Sequence, residues 1–173
     1  MNRNDLLAEG VEQSRTLLAR FYPGFSDANH TTQAPGLPNH LAWCLGHLAL
    51  TMHRVAGMLD GGPIPPDAFL EGADRGDARR FGVESVSFAS APTDDPTRYP
   101  GFARCVEVFD AATARLASAL RSASPDALDQ PVTWGKTTST PGAMAFRMVF
   151  HNGVHCGQIT DLRRALKMGT VLA

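Results

Sequence analysis

The chain has 173 residues, 43% of them apolar and 19% charged, with a formal net charge of -1. These values predict one domain over residues 1–173 with a continuous core, and they exclude a charge-driven partnership with nucleic acid or an anionic membrane. The longest apolar run, "LAWCLGHLALTM", is too short to span a bilayer and is interrupted by His47, and "MNRNDLLAEG" has no signal-peptide pattern. A cytoplasmic protein is expected.

A first helix is predicted from about Asp5 to Phe21, with Leu7, Val11, Leu18 and Phe21 on one stripe and Pro23–Gly24 ending it. After a polar loop, Asn39 is placed to cap a second helix from about His40 to Leu59, which "DGGPIPP" stops. The connection over residues 60–101 is rich in Gly, Pro, Asp and Ser, with one helical turn at "PDAFLEG". That is too long for an idle linker in a compact domain, and it is expected to cross over and cover one end of a helical bundle.

The third helix is read from about Phe102 to Ser122, with Val106, Phe109, Leu116 and Leu120 near one face. A short turn at "SPDALDQPV" and a loop containing Trp134 follow. Thr140 is the expected N-cap of the fourth helix, and Pro141 its first residue, where a missing N–H costs nothing. That helix is expected to reach about Lys167, with Arg163, Arg164 and Lys167 facing the negative end of its dipole and Gly169 ending it. No stretch alternates like a strand. The sum is an all-α four-helix bundle with a long crossover between the second and third helices.

Cys44, Cys105 and Cys156 lie within apolar helical patterns and form no C-x-x-C motif, which predicts buried free thiols rather than disulfides. The histidines carry more information. His151 and His155 stand four apart, so on a helix both rings reach one side, which is also the apolar side with Met144, Met148, Gln158, Ile159 and Leu162. The zinc-protease pattern H-E-x-x-H needs a glutamate general base after the first histidine, and Asn152 stands there instead. His47, among Trp43, Cys44, Leu48 and Leu50, is an inward-facing candidate for a third ligand. Three neutral imidazoles leave a coordination position open, as in catalytic zinc sites. Spacing alone leaves the cluster open between a metal site and hydrogen-bonded core histidines. His40 shares a face with His47 and suits a capping, surface or substrate-contacting role; His53 falls on another face and is expected to be exposed; His30 lies in a polar loop.

Taken together, "HLAWCLGHLAL" and "HNGVHCGQITDLRRAL" resemble the DinB/YfiT-like family (DinB superfamily) of metalloenzymes, whose last helix carries H-x-x-x-H-x-G-Q-[IL]. The resemblance implies an up-down-down-up four-helix bundle that holds a divalent metal, often zinc or nickel, through His47, His151 and His155. It implies for Gly157 a close helix approach, and for Gln158 an amide that fixes a ligand or a bound water, or else a polar place at the bundle end. Characterised members use low-molecular-weight thiols as S-transferases or isomerases, and members are often homodimers. A small-molecule substrate, a thiol co-substrate and a homodimer are therefore expected. No residue stands out as a general base, so no catalytic side chain is assigned. A metal-dependent hydrolase and a non-catalytic metal-binding or stress-response bundle are the alternatives.

Overall fold

The computed structural model describes residues 1–171. Four long helices dominate it: α1 (Arg3–Ala19), α2 (Leu41–Asp60), α4 (Phe102–Ser122) and α6 (Pro141–Ala165). Each starts where the local chemistry satisfies its free amides. Asn2 caps α1 by accepting from Asp5 N at 2.8 Å, and Thr140 caps α6 by accepting from Ala143 N at 3.2 Å. At α2 the cap is His40 rather than Asn39: its ring Nδ1 accepts from Trp43 N at 3.1 Å. The helix ends at Gly61, whose φ of 69° suits a residue without Cβ.

The helices pack α1 on α4 and α6, and α2 on α4 and α6. Hydrogen bonds give the sense of each pair. Asn4, early in α1, donates to the carbonyls of Leu120 and Ala123 at the end of α4, so those two run in opposite senses. Ser14 in α1 meets Asn152 in α6, and Phe21 beyond α1 meets Arg163, so these two run alike. Asn39 before α2 meets Gln158 late in α6, while His47 faces His151 and His155, so α2 and α6 are antiparallel. One continuous cluster of buried side chains fills the space between the four. Among the described residues no helix is long and apolar enough to cross a membrane.

Helix α2 is buried nearly all round, from Leu41 to Ala56, which is why it lacks a clean polar stripe. Its fourth side is covered by the connection to α4. Because α2 and α4 run in the same sense, that connection must travel back the length of a 20-residue helix, about 30 Å. It therefore lies along α2 instead of covering one end. It contains β1 (Phe69–Leu70), β2 (Phe81–Gly82), α3 (Val83–Val86) and a 3-10 turn at Pro96–Arg98. β1 and β2 form a short parallel ladder, Phe69 beside Phe81, both buried. Gly46 permits the close approach: a Cβ there would stand 2.6 Å from the Phe81 ring and 2.9 Å from Val86.

Several expectations are corrected here. Strands do exist, the pair above and the exposed hairpin β3 (Val132–Trp134) with β4 (Thr137–Ser139), whose two-residue turn puts Gly135 at φ 60°. A short helix α5 (Pro125–Asp129) precedes that hairpin. His53 is buried, only 3% exposed, because the connection lays Phe69 against it. Helix α6 stops at Ala165, and Lys167 rather than Gly169 takes the left-handed conformation, at φ 55°. Arg163 turns inward to the carbonyls of Phe21, Pro23 and Gly169 instead of facing the helix end from solvent. All three cysteines are buried free thiols, and burial pushes the Cys44 thiol up to about 12.

Candidate metal centre

The antiparallel contact of α2 with α6 brings His47, His151 and His155 together. One nitrogen from each lies within 4.8 Å of the others. Ring centroids are 5.1 Å apart for His47 and His151, 5.3 Å for His47 and His155, and 4.8 Å for His151 and His155. Among the described residues no other group of three metal-ligating side chains converges so closely.

The His47 ring is held in place by its surroundings. His47 Nδ1 donates to the Val86 carbonyl at 2.7 Å, which leaves Nε2 with its lone pair directed into the cluster. Trp43, one turn earlier, stacks on His47 at 4.6 Å with planes 8° apart. Its indole N–H donates to Ser90 Oγ at 2.8 Å, and that hydroxyl donates to the Ser85 carbonyl at 3.0 Å. The connection along α2 thus holds both the imidazole and the indole that supports it. Val86 acts through its backbone, which no pattern of side chains announces.

The donor set fits a divalent ion. His151 Nε2 and His155 Nε2 are 3.2 Å apart. Two nitrogens, each about 2.0–2.1 Å from one tetrahedral ion, stand roughly 3.3 Å from each other. Burial favours neutral rings, the form that binds metal. It holds His151 down to about 4, helped by His47 and Arg147, and His155 down to about 3, helped by His151 and His47. His47 is lowered by burial and then by Arg54, against the bond to Val86. The outer Nδ1 atoms of His151 and His155 are buried without a hydrogen-bond partner.

The remaining sequence candidates lie around the cluster or outside it. Gln158 is half-buried, and its Oε1 accepts from Asn39 Nδ2 at 3.0 Å, tying α6 to the start of α2. His40 caps α2, and its Nε2 sits 2.9 Å from the Thr93 carbonyl beside Tyr99, away from the three converging rings. Gly157 is exposed, and a Cβ there would meet nothing within 4 Å, so the expected close helix approach is absent. Asn152 is buried against α1, donating to Ser14 Oγ at 2.8 Å, and has no part in the cluster.

His47 and His151 also form part of the wall of a cleft of about 660 Å³. Thr51, Arg54 and Met58 of α2, Arg147 and Met148 of α6, Phe88, and the β3–β4 hairpin with Trp134 form the rest. No carboxylate is among the described lining residues, so the cleft offers no acidic general base. Arg54 and Arg147 were not singled out by sequence, although Arg54 lies two turns beyond His47 and Arg147 one turn before His151.

Comparison with known proteins fits this arrangement. The chain resembles a crystal structure described as the conserved protein of locus from Enterococcus faecalis, with a TM-score of 0.72 at 15% identity, over 95% of this chain and 97% of that one. At that identity the likeness speaks for the fold alone. No curated protein matches the chain. A sequence profile of the DinB superfamily matches residues 11–159, and with the three converging histidines it makes metal binding the chemistry this fold and site fit. The chain belongs to the DinB superfamily.

Proposed function

We propose that this protein is a metal-dependent enzyme that uses a low-molecular-weight thiol, as an S-transferase or isomerase of small molecules. The observation that carries the reading is the convergence of three neutral imidazoles, two of which, His47 and His151, stand in the wall of a cleft large enough for a substrate. His47, His151 and His155 would hold the ion, zinc or nickel by the donor type. A divalent ion at such a site favours the thiolate form of a thiol or the hydroxide form of water. The chain's own part is to fix the His47 imidazole, through Val86 and Trp43, and to offer a cleft with no competing carboxylate.

The architecture belongs to the same reading: one domain, an up-down-down-up four-helix bundle, in the cytoplasm. A homodimer is supported by Phe146, Phe150 and Val154, which stand four apart along α6 and are 70%, 72% and 42% exposed.

Cobalt(II) substitution tests the thiol reading. A small thiol titrated into the cobalt protein should produce a saturable sulfur-to-cobalt absorption band. Retained cobalt with no such band, together with ester hydrolysis that needs no thiol, would replace it with the hydrolase reading. Retained cobalt with neither band nor turnover would leave a metal-binding bundle without catalysis.

A further inference from the structure

Because α2 and α6 are antiparallel, moving forward along α2 from His47 and backward along α6 from His151 leads the same way. Arg54 lies seven residues beyond His47, about 10 Å along the helix axis, on the same face. Arg147 lies four residues before His151, about 6 Å along its axis. Both therefore sit on one side of the histidine cluster, and both line the same cleft.

These two guanidinium groups are unlike the other arginines of the helices. Arg15, Arg115 and Arg121 each bind a carboxylate, and Arg163 binds three backbone carbonyls. Among the described residues Arg54 and Arg147 have neither an ion pair nor a hydrogen bond to any protein acceptor, and no acid faces them across the cleft. Two uncompensated positive charges in one concave site mark a place for an anion, since guanidinium pairs strongly with carboxylate and phosphate. The rest of the wall, with Met58, Phe88, Trp134 and Met148, suits an apolar or aromatic body.

We infer that the cleft binds an organic anion, its carboxylate or phosphate held by Arg54 and Arg147 and its far end presented to His47 and His151. This names the substrate class for the proposed function and rests on that reading only for what happens at the histidine end. The hairpin β3–β4 places Thr133, Trp134 and Thr137 in the wall, where their side chains add hydroxyls and a stacking surface for the same ligand.

The test uses metal-free protein and titration calorimetry with benzoate, phenyl phosphate and the uncharged isostere benzamide. At least one anion should bind about tenfold or more tightly than benzamide, and the better of the two tells a carboxylate from a phosphate ligand. Arg54→Gln with Arg147→Gln should erase that preference, while Arg54→Lys with Arg147→Lys should keep most of it, with melting curves showing both variants folded. No preference in the wild type, or a preference that survives the double glutamine change, would overturn the inference. Zinc titrated into the same wild-type sample separates the two ideas. Preference for the anion without zinc binding removes the metal and keeps the anion site. Zinc binding without the preference does the reverse.

Discussion

The six histidines divide into two sets of three, and the contrast between them is instructive. His30, His40 and His53 are more deeply buried than the cluster members, at 2%, 0% and 3% exposure against 5% for His47 and His155 and a half-buried His151. Yet each stands apart among its own partners: His30 Nε2 beside the Pro100 carbonyl at 3.0 Å, His40 between Trp43 N and the Thr93 carbonyl, His53 Nδ1 beside Arg115 at 3.4 Å. His47, His151 and His155 instead face one another, and of the three only His47 is bonded to a backbone carbonyl, that of Val86. An unpaired nitrogen does not distinguish the sets, since His30 Nδ1 and His53 Nε2 are unpaired as well. Convergence does. Burial of an imidazole marks a place in the core; three lone pairs aimed at one point mark a place for an ion.

The largest effect should separate the sets directly. His47→Gln removes one of three protein bonds to the ion, so zinc or nickel affinity of the apo-protein should fall roughly a hundredfold or more. His53→Gln should leave that affinity within about threefold while lowering thermal stability. Competition with a chromogenic chelator reads both. Equal losses in the two variants would erase the distinction.

A smaller effect should come from the segment that links the cluster to its surroundings. Gly46→Ala drives a methyl group into Phe81 and Val86, costing about 1–3 kcal/mol of stability by denaturant unfolding. It should also weaken metal binding, because Val86 moves with the segment and its carbonyl orients His47. Lost stability with unchanged metal affinity would show that the Val86 bond is dispensable.

Acid should act on the isolated set without any metal. Burial is the main cause that lowers His40 and His53 to about 4, helped at His53 by Arg115, from an unfolded value near 6.5. Between those values the unfolded chain binds more protons than the native one. Stability of apo-protein should therefore be full above about pH 6.5, decline as the pH falls toward 4, and level off below that as far as these two groups are concerned. Urea midpoints across this range check it, and the slope should shrink in a His40→Asn, His53→Gln double variant. An unchanged slope would assign the acid sensitivity elsewhere.

The smallest effect on either set should come from the exposed face of α6. Phe146→Glu with Phe150→Glu should convert a dimer to monomer in light scattering, leaving zinc affinity within about twofold. A wild type that is already monomeric at micromolar concentration would contradict the assembly.

Much of this was legible in the sequence, for identifiable reasons. The helix Phe102–Ser122 was legible because Phe109, Leu116 and Leu120 mark a buried stripe on a helix with one open side. Thr140–Pro141 announced α6 because a cap hydroxyl and a residue lacking an N–H solve the same problem of free amides. The pair His151–His155 was visible because helical spacing is local. What stayed hidden depends on distant partners. His53 looked exposed because nothing in its own helix tells that Phe69 covers it. The Val86 carbonyl is backbone, and any residue could supply it. The hairpin at Val132–Ser139 escaped because it is largely exposed and shows no apolar alternation.

X-ray absorption at the zinc edge of the loaded, tag-free protein tests the central claim most directly. It should show three imidazole nitrogens at about 2.0–2.1 Å, completed by an oxygen from solvent, and no sulfur. A sulfur scatterer at about 2.3 Å would bring in a cysteine, Cys156 beside His155 being the nearest in sequence. That result, or fewer than three imidazoles around the ion, would contradict the three-histidine centre.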